Sequence, residues 1–154
     1  MAVPITREAA GGLAFDPITV FVERGRLRLF AEAIGETNPV YLDVAAARRA
    51  GHPDLPVPPT FFYSLELETP DPFGYLAALD VDLRRVLHGE QSFDYHHMAH
   101  AGDTLVLETR ITDVYTKKRG ALTLLVKQTG IRRGAVLVAE ANSVLVVRNP
   151  EEKR

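Results

Sequence analysis

Hydrophobic and polar positions along this chain change their period once. From Glu23 to Ile34 the apolar residues Leu27, Phe30, Ala31 and Ile34 recur at spacings of three, one and three, which lines up one face of a helix. Gly35 follows at the expected stop. Asp43 is placed to cap a second helix, Val44 to Ala50, ended by Gly51, because its carboxylate can accept an unpaired first-turn amide. Pro53, Pro56, Pro58 and Pro59 rule out regular structure up to Thr60. Thr60 is expected to cap a helix through Glu66, broken by Thr69-Pro70-Asp71-Pro72. Phe73 to Leu79 reads as one or two helical turns, and Asp80 to Leu87 as a connector. From Gly89 onward the texture is that of strands. Ser92 to His97, Thr104 to Tyr115, Ala121 to Arg132 and Ala135 to Val147 are rich in Val, Leu, Ile, Thr and Tyr. Turn sequences separate them at Ala101-Gly102-Asp103, Lys117 to Gly120 and Arg133-Gly134, with Asp103 capping the first. A short strand, Ile18 to Val22, precedes the first helix, and residues 1–17, with Gly11-Gly12 and Asp16-Pro17, read as a flexible arm.

Three of these strands are far longer than the usual five or six residues, so they predict a strongly curved, twisted antiparallel sheet. The only apolar elements for it to wrap are the helices of the first half. The pattern therefore predicts an α+β fold, one helix wrapped by a curved sheet, as a single domain over residues 18–148 with 149–154 as a tail. The length of 154 residues fits one domain, and 46% hydrophobic with 25% charged residues is the composition of a globular chain. With no cysteine there is no disulfide, thiolate nucleophile or iron–sulfur ligation. A net charge of −2 without a long basic block argues against nucleic acid as a partner. No apolar run is long enough to cross a bilayer, and the opening residues do not read as a leader, so a cytoplasmic location is expected.

The most informative stretch runs from Phe30 to Ala47, where a helix ends at Gly35 and delivers Glu36, Asn38 and Tyr41 in a short irregular segment. Phe30, Gly35, Asn38, Pro39, Val40 and Ala47 resemble the signature of the MaoC-like (R)-specific enoyl-CoA hydratases. Two positions depart from it: Glu36 stands where that family has its catalytic Asp, and Tyr41 where it has its catalytic His. Pro58-Pro59-Thr60-Phe61 and the segment His88 to Leu105, with His88, Gly89 and Gln91, are similar to the N-terminal dehydratase branch of the same family. The resemblance spans Ile18 to Arg148 and implies a hot-dog fold. It also implies reversible addition of water to a 2-enoyl thioester of coenzyme A or of an acyl carrier, with no metal or redox cofactor. By position, Glu36 and Tyr41 would be the catalytic pair, and the amides of Thr60 and Phe61 would hold the thioester oxygen. Asn38, His88, Gly89 and Gln91 would line the substrate pocket. An acid/base pair contributes about 10²–10⁴-fold, but the extra methylene of Glu36 displaces its carboxylate, and a phenol with a pKa near 10 shuttles protons poorly at neutral pH.

The same resemblance implies an alternative. Some members pair a catalytic hot-dog with a degenerate one that binds the acyl chain, and Glu36 with Tyr41 looks like that half, needing a partner with intact Asp and His. A homodimer or heterodimer with a continuous sheet is expected, because a single hot-dog leaves a strand edge open. A thioesterase is a third chemistry for the fold. Among the remaining residues, His88, His96, His97 and His100 cluster, but on a strand His96 and His97 point to opposite faces, and only Asp94 with His96 could share a metal. Lys117, Lys118 and Arg119 read as a charged hairpin tip or as contacts to coenzyme A phosphates. Phe61, Phe62 and Tyr63 read as core.

Overall fold

The computed structural model describes residues 5–150. In chain order it contains α1 (Arg7–Gly11), β1 (Ile18–Phe21), α2 (Arg24–Ala33), a 3-10 turn (Pro39–Tyr41), α3 (Val44–Arg49), α4 (Phe61–Leu65), α5 (Gly74–Ala78), a second 3-10 turn (Leu83–Arg85), β2 (Val86–Tyr95), β3 (Thr104–Lys117), β4 (Leu122–Arg133) and β5 (Val136–Arg148). The strands form one antiparallel sheet in the order β1-β3-β4-β5-β2. The α+β class and the long strands agree with expectation.

Four local differences have physical causes. The expected arm folds: Thr6 Oγ1 accepts from Ala9 N–H to cap α1, Ala10 is fully buried, and Ile5, Leu13 and Phe15 pack on the core. Arg7 then pairs with Asp113 on β3, so apolar side chains outweigh the Gly11-Gly12 signal. Residues 1–4 of that arm and 151–154 of the expected tail lie outside the described residues. The helix after the prolines is shorter than expected and lacks a Thr60 cap, because Thr60 already has helical φ and ψ (−84°, −7°), and its side chain makes no capping bond. The strand expected at Ser92 begins six residues earlier, at Val86, where pairing to Val147 supplies order that its exposed residues do not signal. It also ends at Tyr95, so His96 and His97 follow no strand alternation; both amides donate to Val138 O.

The inner face of the sheet carries two apolar clusters. One gathers Leu27, Phe61, Phe62, Leu65, Leu105, Leu107, Ile131 and Val138; the other Leu76, Val81, Ile111, Leu125, Leu145 and Val147. Between them every long strand turns a polar residue inward. Thr109 and Thr129 share a hydroxyl hydrogen bond of 2.9 Å, Ser143 donates to Gln91 Oε1 at 2.6 Å, and Lys127 Nζ lies 2.6 Å from Glu66 Oε2 at the end of α4.

Candidate functional site

Helix α2 ends in a turn that only a residue tolerant of positive φ fits easily: Gly35 has φ 73°, with Gly35 N–H donating to Glu32 O and Glu36 N–H to Ala31 O. The loop that follows is closed by its own side chains. Glu36 Oε1 accepts from the amides of Thr37 (2.9 Å) and Asn38 (2.8 Å), and Asn38 Oδ1 accepts from Val40 N–H (3.1 Å), capping the Pro39–Tyr41 turn. Arg28 on α2 donates to Leu42 O at 2.9 Å and ties the loop to its helix. Glu36 and Tyr41 are half-buried, and the Tyr41 hydroxyl makes no hydrogen bond among the described residues.

Helix α4 is locked to α2. Phe30 packs edge-on against Phe61 with ring centroids 5.2 Å apart, Arg26 lies over the Phe61 ring at 5.5 Å, and Arg26 pairs with Glu68. The Phe61 amide, one of the two positions matched to the thioester oxygen, donates to Pro58 O at 2.9 Å. Thr60 N–H has no backbone partner among the described residues.

The His88 segment lies on the open edge strand β2 and meets α4 from the other side. His88 Nε2 is 3.1 Å from Glu90 O, which can only accept, so in the neutral ring Nε2 carries the proton and Nδ1 accepts from the Tyr63 hydroxyl at 3.0 Å. Burial raises the Tyr63 hydroxyl above its ordinary pKa, with the Glu66 carboxylate adding to the shift. A register shift separates His88 from Glu90. Gly89 is required there, since a Cβ would stand 2.7 Å from Val146 Cγ2 and 3.1 Å from Val144 O. Gln91 is occupied by Ser143. The structure thus forms two groups, Glu36 with Asn38 and Tyr41 in one loop, and His88 with Gly89 and Gln91 on the edge strand. The first is tied to α2 and the second to α4 through His88 and Tyr63, and no hydrogen bond joins them among the described residues.

Tyr63, read as core, is instead the polar link to His88 across 25 positions of sequence, and no local pattern marks such a pair. The same holds for His52 and His100, whose Nδ1 and Nε2 are 3.1 Å apart. Their loops are also joined by Val57 N–H to Ala99 O and Ala101 N–H to Leu55 O. Asp103 caps the turn as expected, accepting from His100 N–H at 2.9 Å, and also binds Arg133. Arg24 holds the Asp54 carboxyl down at about 2 through its hydrogen bonds. Burial lowers His100 below the ordinary histidine value, and the His52 imidazole lowers it further. Between that value and the unfolded one, near 6.5, the unfolded chain binds more protons, so this stabilisation is complete above about pH 6.5 and is lost as pH falls through the folded value. Urea midpoints are expected to fall from pH 7 to pH 5 in the wild type, and to fall less in His100→Gln. His96 is taken by Glu140 at 3.1 Å rather than by Asp94, and no group of three metal-ligating side chains is arranged for an ion among the described residues. No helix among them is long and apolar enough to cross a membrane.

Residues 9–140 match the family model described as FAS1-like, dehydratase domain region. A UPF0336 protein of Parafrankia sp. is 34% identical over 99% of this chain and 100% of its own length. One from Leifsonia xyli subsp. xyli is 38% identical over 97% of this chain and 99% of its own. Among solved structures, the ChsH1-ChsH2 complex from Mycobacterium tuberculosis is similar at 26% identity and TM-score 0.73, covering 90% of this chain and 85% of that one. The HadBC (3R-hydroxyacyl-ACP dehydratase) complex of the same organism matches at 26% and 0.71, covering 83% and 89%. The (R)-hydratase from A. caviae, at 19% and 0.61 over 92% of this chain and 100% of that one, shares the hot-dog fold.

Proposed function

Because the chain belongs to the FAS1-like dehydratase-domain family and to the UPF0336 proteins, we propose that it is one hot-dog subunit of an acyl-thioester dehydratase, acting with a second hot-dog chain that brings the catalytic carboxylate and imidazole. The observation that carries this reading is the commitment of Glu36 Oε1 to two amides of its own loop, beside a tyrosine where the family has histidine. A carboxylate used as a loop cap is held by the backbone, and a phenol is a poor proton carrier at neutral pH. Engagement of the Phe61 amide by Pro58 O supports the same reading, since it removes one donor from the thioester oxygen.

In dehydration a base takes the proton from the carbon next to the thioester while the 3-hydroxyl leaves with a proton as water. A carbon–carbon double bond forms, and nothing is oxidised or reduced. On this reading the partner moves both protons. This chain contributes the walls, Asn38, Tyr41, Thr60, His88, Gly89 and Gln91, and the strand edge of β2. That edge bears Leu87 and Tyr95, 53% and 48% exposed, and an open edge of ten residues favours pairing with another strand. The relatives in the ChsH1-ChsH2 and HadBC complexes support a two-subunit assembly. No metal or redox cofactor enters this chemistry, and the thioester is that of coenzyme A or an acyl carrier.

A second reading, a self-sufficient hydratase using Glu36 and Tyr41, is favoured by the free Glu36 Oε2, which makes no hydrogen bond among the described residues. Hydration of crotonyl-CoA and longer enoyl-CoAs, followed by loss of enoyl absorbance, separates the two. The subunit reading predicts no turnover by the purified chain, in wild type and Glu36→Ala alike. Turnover lost at least about 10²-fold in Glu36→Ala would establish the second reading.

A further inference from the structure

The end of the sheet farthest from Thr60 concentrates positive charge that the reading above does not use. Lys117, Lys118 and Arg119 form the tip of the β3–β4 hairpin, Arg148 is paired with Leu122 beside it, and Arg85 reaches the Arg148 carbonyl at 3.5 Å. None of these five has a carboxylate partner among the described residues, while neighbouring Arg84 is held by Asp82. The chain as a whole carries a net charge of −2, so the patch is a local feature.

The patch is also held in place. Asn149 donates its side-chain amide to Gly120 O (2.7 Å) and Thr123 Oγ1 (2.9 Å), and its backbone N–H to Ala121 O (2.9 Å). Lys118 and Arg119 have φ of 51° and 53°, the left-handed region that glycine and asparagine occupy more easily. Long cationic side chains at two such positions are an outlier that points to use.

Strand β2 runs from this cationic end, at Val86, to the Thr60 end, where the Tyr95 hydroxyl donates to Pro59 O at 2.9 Å. Two hot-dogs joined along this edge by a two-fold axis run antiparallel, which brings the cationic end of each to the Thr60 end of the other. We infer that Arg85, Lys117, Lys118, Arg119 and Arg148 bind the phosphate groups of the thioester's carrier, seated at the partner subunit's site. The inference rests on the dehydratase-subunit reading. Its chemistry is shared by coenzyme A and by the phosphopantetheine arm of an acyl carrier protein.

The test uses the assembled complex and one acyl group on three carriers: coenzyme A, acyl carrier protein, and pantetheine, which has no phosphate. In Lys118→Glu/Arg119→Glu the Kd for a phosphate-bearing thioester rises about tenfold. The difference shrinks at high salt, and the pantetheine thioester binds as before. A rise confined to the coenzyme A arm assigns the patch to nucleotide phosphates, and one confined to the carrier-protein arm assigns it to that carrier. The variant Lys118→Asn/Arg119→Gly removes charge while easing the backbone, so the same affinity falls while the thermal midpoint holds or rises. Unchanged Kd for both phosphate-bearing thioesters, or equal weakening of the pantetheine thioester, overturns the inference. If the wild-type complex binds none of the three, the dehydratase reading falls and takes the inference with it.

Discussion

Lys127→Met is expected to lower the unfolding free energy by about 3–5 kcal/mol. Lys127 and Glu66 are side chains only 11% and 2% exposed, on the inner face of β4 and at the end of α4, and they meet at 2.6 Å. Glu66 has no other ion-pair or hydrogen-bond partner among the described residues. Removing the ammonium leaves a buried carboxylate whose loss of hydration is uncompensated. The double replacement Glu66→Leu/Lys127→Met removes both charges, and most of the stability returns, because apolar substitutes for a buried pair are often neutral or better. Urea unfolding of the two single variants and the double gives the coupling between them. A double variant as unstable as Lys127→Met alone would mean that the loss does not come from the unpaired Glu66 carboxylate.

Phe61→Ala comes next, with an expected loss of about 3–5 kcal/mol. Phe61 is buried, and it is the residue on which α2 and α4 lock, through the Phe30 ring and the Arg26 guanidinium. The cavity opens between α2, which leads into the Glu36 loop, and the helix that begins after Thr60, so the variant is expected to weaken thioester binding as well as folding. Phe61→Leu keeps most of the volume and should recover stability while losing the edge-on aromatic contact. Thermal midpoints and thioester Kd measured together check this. An unchanged Kd in a destabilised Phe61→Ala would separate the two helices from the ligand.

The elements with strong periodicity were legible in the sequence. Helix α2 follows from Leu27, Phe30 and Ala31, and Gly35 ends it as its position indicates. Strands β3, β4 and β5 lie within one or two residues of their apolar runs. Less was visible where a partner distant in sequence provides the order. The start of β2 falls in the stretch read as a connector, because its side chains are largely exposed, and its order comes from pairing with β5. Helix α1 forms because Ala10 and its neighbours find an apolar surface on β3 and α5. The loop holding Glu36, Asn38 and Tyr41 is legible from the helix stop at Gly35. What Glu36 does there is not, since a carboxylate that caps its own loop and one that awaits a substrate have the same spelling. Tyr63 with His88, and His52 with His100, meet only through the tertiary fold.

The decisive measurement is the rate of crotonyl-CoA hydration by this chain alone, by a hot-dog chain with intact Asp and His alone, and by their assembled complex. The subunit reading predicts a complex of the two chains that turns over with this chain's Glu36→Ala as with its wild type, while this chain alone is inactive. Turnover by this chain alone that disappears in Glu36→Ala would contradict it and make Glu36 the base of a complete enzyme.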